Sequence, residues 1–168
     1  MLIPFYLSYL IMNETELFFT TIKSGNLNNT KAQLKRNPDL VNAKDSRGFT
    51  PLIFATYFDK EDIAKSLIEH NAPIDAKDKS GNTALIGVCF KGNDSLASYL
   101  IEHGADVNAV NNNGTTPLIF AAMYNKINSV KLLLSKEVDV TIKDIKGKTA
   151  LNYAQQKGFN DIIDLLQK

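Results

Sequence analysis

Few residues of this chain are of the types that do covalent or metal chemistry: one cysteine, Cys89, two histidines, His70 and His103, and a Gly147-Lys148-Thr149 tripeptide. A phosphate-binding loop needs a glycine five residues before its Gly-Lys pair, and Ile142 stands there. The same Gly-x-Thr pattern occurs at 48, 81 and 114, so a recurring structural role explains the tripeptide better than a nucleotide does. His70 and His103 are thirty-three residues apart, each near the end of a helical segment, where an imidazole meets the carbonyl end of the dipole. They are too few for a metal site, and Cys89 has no set of partners in sequence to make it a nucleophile. Cys89 falls where Thr56 and Ala122 fall in the neighbouring copies, which reads as a small, partly buried filler. These residues point to a non-enzymatic protein with no cofactor and no metal; a ligand-binding or catalytic protein working through Cys89 and His103 is the competing class.

The elements that must position every other side chain repeat. Thr50-Pro51-Leu52-Ile53-Phe54-Ala55 returns as Thr116-Pro117-Leu118-Ile119-Phe120-Ala121, with looser copies from Thr83 and Thr149. Threonines at 50, 83, 116 and 149 fix a period of thirty-three, a length that means stacked repeats. In each copy the threonine is a natural N-cap, and the proline at 51 or 117 sits at the first helical position, where its missing N–H costs nothing. Breaks at 59–60, 92–93 and 125–126 separate this short helix from a second one. The second carries Leu67-Ile68, Leu100-Ile101, Leu133-Leu134 and, set back by one, Leu165-Leu166. Asn71 and Gly104 suit a left-handed cap after it; Glu137 in the third copy does not, which predicts strain or a different turn there. Turns follow at Asp45–Gly48, Asp78–Gly81, Asn111–Gly114 and Asp144–Gly147. Upstream, a helix over 15–24 stopped by Gly25 and a second at about 28–36, ended by Asn37-Pro38-Asp39, make a divergent first copy.

Composition bounds the partners. With 44% hydrophobic and 22% charged residues, the chain has the make-up of one soluble folded unit, and a net charge of +1 favours no nucleic acid. A single cysteine forms no internal disulfide, so a reducing, cytoplasmic setting is the simpler assumption. Asn-x-Ser/Thr triplets at Asn13, Asn28, Asn93 and Asn113 read as chance in an Asn-rich chain. Residues 1–12 are almost wholly apolar but too short to span a bilayer, and they lack the flanks of a secretory signal. Three readings stand: an added packing element, a weak membrane or export signal, or an extension before a start at Met12, the last preferred because Met12-Asn13-Glu14 leads into a capped helix. The second would make the protein a secreted or membrane-tethered effector.

The four in-phase Gly-x-Thr-[Pro/Ala]-Leu copies, the paired aliphatics and Gly104-Ala105-Asp106-Val107-Asn108-Ala109 together resemble the ankyrin repeat family. The resemblance implies an all-α solenoid of helix-turn-helix units with projecting β-hairpin-like loops, and a habit of binding other proteins on its concave face. It divides the chain into an apolar extension at 1–13 and a repeat domain at 14–168. Within that domain come an N-terminal capping repeat at 14–45, full repeats at 46–78, 79–111 and 112–144, and a C-terminal capping repeat at 145–168. The last turns polar at Asn152, Gln155 and Gln167, which reads as a real end. Where the family favours histidine this chain has Ile53, Ile86, Ile119 and Asn152, so the bonds that histidine makes between units must be absent or replaced.

Phase with the family sets the ends of the first helices and the tips on the partner-facing side. The candidate partner-binding residues are Phe49, Tyr57, Phe58, Phe90, Met123 and Tyr124, with Arg47, Lys79 and Lys146 at the tips. Aromatic residues and Met carry interface energy. Packing between units is the other fate open to them, weightier for Phe58 and Phe90 than for the tyrosines, whose hydroxyls prefer a wet end. Lys44, Arg47, Lys77, Lys79, Lys146 and Lys148 decorate the tips, and the interleaved Asp45, Asp78 and Asp144 make this mostly a solvated rim with a modest steering role for an acidic partner. The expectation is a scaffold-like monomer that binds another protein.

Overall fold

The computed structural model describes residues 13–167, so the three readings of segment 1–12 lie outside the described residues. Among those residues regular structure is helical throughout, with ten α-helices, one 3-10 turn and no strand. Contacts divide the chain into two compact units, the first ending at Pro73 and the second beginning at Ile74.

The first unit holds α1 (Glu14–Ser24), α2 (Leu27–Arg36), a 3-10 turn (Pro38–Asn42), α3 (Pro51–Tyr57) and α4 (Glu61–Glu69). Asn13 starts α1 with a reciprocal cap: its side chain accepts from Glu16 N, while its own N–H donates to the Glu16 carboxylate. Gly25 ends the helix at φ 78°, a conformation glycine adopts without penalty. α1 packs on α2 and α3, and α2 on α4. Phe18, Ile22, Leu34, Leu52, Ile63 and Leu67 are sealed between them. Each such side chain contributes about 1.5–3 kcal/mol by leaving water.

The second unit repeats one pair of elements three times: α5 (Ala84–Lys91) with α6 (Asp94–Glu102), α7 (Pro117–Met123) with α8 (Ile127–Leu134), and α9 (Ala150–Lys157) with α10 (Asn160–Leu166). First helices pack on first helices, α5 on α7 on α9, and second on second, α6 on α8 on α10. The threonines do what their positions require. Thr50, Thr83, Thr116 and Thr149 each accept from the backbone N–H three residues on, at 3.1–3.3 Å. Asp59, Gly92 and Asn125, at the expected breaks, all take positive φ. Leu100 and Leu133 are fully buried, whereas their partners Ile101 and Leu134 are half-buried, so one of each pair faces the core.

Asn71 and Gly104 take the left-handed cap at φ 61° and 93°. Glu137 does not take positive φ; the chain turns instead with Val138 N–H on Lys136 O. The turn is therefore different and the strain avoided. Each tip closes as a turn, with Gly48, Gly81, Gly114 and Gly147 donating to the Asp or Asn three residues before. The acidic or amide oxygen at its head also takes two backbone N–H groups, as Asp78 does from Ser80 and Asn82.

The bonds that replace histidine lie between successive copies of the second unit. Ile86 and Ile119 are buried, and polar stitching runs elsewhere. Asn111 donates to Asn82, Asn112 donates to the carbonyls of Lys79 and Ser80, and Ile145 N–H donates to Asn113 O. On the loops after the second helices, Asp75 accepts from Asp106 N–H and Asn108 accepts from Asp139 N–H. Below them the Ser129 hydroxyl donates to Asp94. A Cβ on Gly81 would come within 2.4 Å of Asn112 Oδ1, so the glycine there serves this close approach as well as its own turn.

Candidate functional site

In the first unit the tip and the end of α3 form one aromatic cluster. The Arg47 guanidinium lies 4.1 Å from the Phe49 ring and 5.6 Å from those of Phe54 and Tyr57. The same guanidinium donates twice to Asp45 Oδ2, at 2.9 and 3.0 Å. Phe49 meets Tyr57 edge-on at 5.5 Å, Tyr57 meets Phe58 at 5.0 Å, and Phe58 leans on Phe54 at 4.7 Å with Lys23 above it. Beneath, Phe54 touches Phe19 in the core. The cluster is thus rooted in the interior. Phe49 and Phe58 are half-buried, and Tyr57 remains 53% exposed.

In the second unit the ends of α5 and α7 make a counterpart. Phe90 packs edge-on against Tyr124 at 4.6 Å and Phe120 at 5.8 Å, and Phe120 and Tyr124 stack at 6.3 Å. Both outer rings stay in water, Phe90 at 42% and Tyr124 at 46%. Of the two rings for which packing between units was the weightier alternative, Phe58 is half-buried and Phe90 is exposed.

Beside Tyr124 an open groove of about 530 Å³ runs to the end of α9, lined by Met123, Lys146, Lys148, Tyr153, Gln156, Lys157 and Phe159. Its floor is a buried polar pair. The Tyr153 hydroxyl donates to Asp144 Oδ2, while Asp144 Oδ1 takes the N–H groups of Lys146 and Lys148. Burial alone would raise the Asp144 carboxyl, but the Tyr153 hydroxyl, those two N–H groups and the nearby Lys146 charge outweigh it and hold the acid below its ordinary range. The bond to Asp144, reinforced by burial, pushes Tyr153 up to about 12. Asp144 is therefore a buried floor residue and not part of a solvated rim. Lys146 is exposed at the groove's edge, and Lys148 Nζ donates to Gln156 Oε1 at 2.6 Å.

The remaining candidates fall elsewhere. Lys79 is exposed, and its carbonyl is part of the tip stitching; it does not line the groove. Cys89 is fully buried, and desolvation with the nearby Asp94 charge pushes its thiol up to about 12, the opposite of an activated nucleophile. His70 and His103 cap their helices through Nδ1 to Ser66 O and Tyr99 O. Thr149 caps α9, so the Gly147-Lys148-Thr149 tripeptide is helix-start chemistry. No helix of the described residues is long and apolar enough to cross a membrane, and no group of three or more His, Cys, Asp or Glu there could hold a metal ion.

Sequence reasoning missed Phe120, Tyr153, Gln156, Lys157 and Phe159. The period was the available signal: Phe120 and Tyr153 repeat Phe54, and Lys157 repeats Phe58. A model of ankyrin repeats in three copies matches residues 17–111 and 88–168. No curated protein matches the chain.

Proposed function

Because the chain belongs to the ankyrin repeat family, whose members are generally protein–protein interaction modules, we propose that it is a non-enzymatic binding protein that engages a partner through the ends of its first helices and its tips. The observation that carries this reading is the exposure of Tyr57, Phe90 and Tyr124, three large rings held in water on short, well-capped helices. Exposed rings of this size, packed at their edges on other rings, are the usual anchors of an interface, each costing about 2 kcal/mol or more when truncated at a hot spot. Their support is already ordered, so little conformational entropy remains to be lost on binding. Phe49, Phe58 and Met123 extend the same surfaces, with Arg47, Lys79 and Lys146 at their rims.

The test is affinity capture from the native cell with the wild-type chain and with a Tyr57→Ser, Phe90→Ser, Tyr124→Ser variant. The variant should lose the specifically retained proteins while keeping its helical circular dichroism and a cooperative melt, at a lowered midpoint. Retention of the same proteins by a folded variant would overturn the assignment of these rings.

A further inference from the structure

We infer that the groove of the second unit takes a short acidic segment of the partner, with an aromatic or aliphatic side chain on Tyr124, Met123 and Phe159 and carboxylates on Lys146 and Lys157. This rests on the protein-binding reading and adds the chemistry of the partner to it. The argument is one of complementarity. Three lysines line the groove and no carboxylate does. Lys146, Lys148 and Lys157 take part in none of the ion pairs Arg36–Glu14, Arg47–Asp45 and Lys65–Glu61. Asp144 does not line the groove, and its oxygens are already occupied by the Tyr153 hydroxyl and two backbone N–H groups, with the Lys146 charge acting on it without an ion-pair contact. Lys148 is held by a neutral oxygen, so its charge is oriented without being cancelled.

The apolar part decides the class of anion. Tyr124, Met123 and Phe159 give the groove a wall that a bare phosphate backbone would leave wet. A nucleic acid needs a broad basic face, and the chain as a whole carries only +1. An extended peptide offers both features at once, alternating an apolar side chain with carboxylates. The volume of about 530 Å³ is that of an ordinary ligand cleft.

The probe is a fluorescein-labelled peptide of about ten residues with a central Leu-Phe pair flanked by glutamates, compared with the same peptide carrying lysines for glutamates, by fluorescence anisotropy. The acidic peptide should bind, and its affinity should fall about tenfold between about 50 mM and about 500 mM salt. Lys146→Glu with Lys157→Glu should weaken it at least about tenfold, whereas Lys131→Glu on α8 should leave it unchanged. Equal binding of the two peptides, no binding up to about 1 mM, or equal loss in the Lys131 variant would overturn the inference. So would full competition by duplex DNA, which would reveal plain charge attraction. Capture lost by the aromatic variant but indifferent to the lysine pair would leave the protein-binding reading standing and remove the acidic segment alone.

Discussion

The tip of the first unit and the last described tip of the second begin alike, Asp45-Ser46-Arg47-Gly48 and Asp144-Ile145-Lys146-Gly147, and end in different chemistry. In the first, Arg47 lies on Phe49 and is neutralised by Asp45. In the second, Lys146 is exposed at the edge of a partly aromatic groove and acts on Asp144 through its charge, with no ion-pair contact of the Arg47–Asp45 kind. Both the cation and the residue beneath the aspartate differ. Arginine presents a planar fork that binds an acid and stacks on a ring at once; lysine is a point charge on a flexible stem. Three periods after Phe54 comes Tyr153, whose hydroxyl donates to Asp144 Oδ2. Phe54 has nothing to donate, so Asp45 Oδ2 remains for Arg47. The tip aspartate thus bonds a phenol through Oδ2 in one unit and a guanidinium in the other.

The comparison breaks most readily at the rings. Phe54→Ala should cost about 3–5 kcal/mol in urea denaturation because it empties the root of the first cluster, while Phe90→Ala, truncating a ring already in water, should cost about 1 kcal/mol. Equal losses would mean that the two clusters are rooted alike. Tyr153→Phe should cost about 1–3 kcal/mol at neutral pH, measured the same way, through loss of a charge-assisted hydrogen bond. Its pH dependence has a definite sign. Asp144 is depressed, so its contribution is present above the ordinary carboxylate value and fades as pH falls through the lowered one. Tyr153 is raised, so its contribution is full below the ordinary tyrosine value of 10 and fades as pH climbs towards about 12. The gap between wild type and Tyr153→Phe should narrow at both extremes.

Smaller effects sharpen the contrast. Gly87 stands in the interior of α5 where Phe54 and Phe120 stand in other copies, and an added Cβ would meet nothing within 4 Å. Gly87→Ala should therefore stabilise the second unit by up to about 1 kcal/mol, read from the shift of the thermal midpoint. Last, Arg47→Ala should cost about 0.5–1 kcal/mol of stability and Lys146→Ala less, since the first cation makes direct contacts in its unit whereas the second acts on Asp144 through its charge alone.

Much of this was legible in the letters. Thr50, Thr83, Thr116 and Thr149 announce helix starts because capping is local chemistry, read within four residues. Asn71 and Gly104 announce the turns for the same reason. The burial of Leu67, Leu100 and Leu133 followed from period alone. What the letters did not disclose were facts of distance in space. Nothing near Asp144 in sequence says that a tyrosine nine residues on will reach it, or that Phe120 will meet Phe90 ring to ring. Nor do they say that Asn and Asp side chains at the tips and loops will stitch successive copies of the second unit.

Cys89 offers a last use of its burial. It is the sole cysteine of the chain and sits in the second unit, sealed, with a thiol that resists ionisation. A thiol reagent can reach it only when that unit opens, so the labelling rate becomes a clock for opening of one half of the molecule while the other half remains silent. Run beside denaturation of the whole chain, that clock would report whether the two halves open as one cooperative body or in turn.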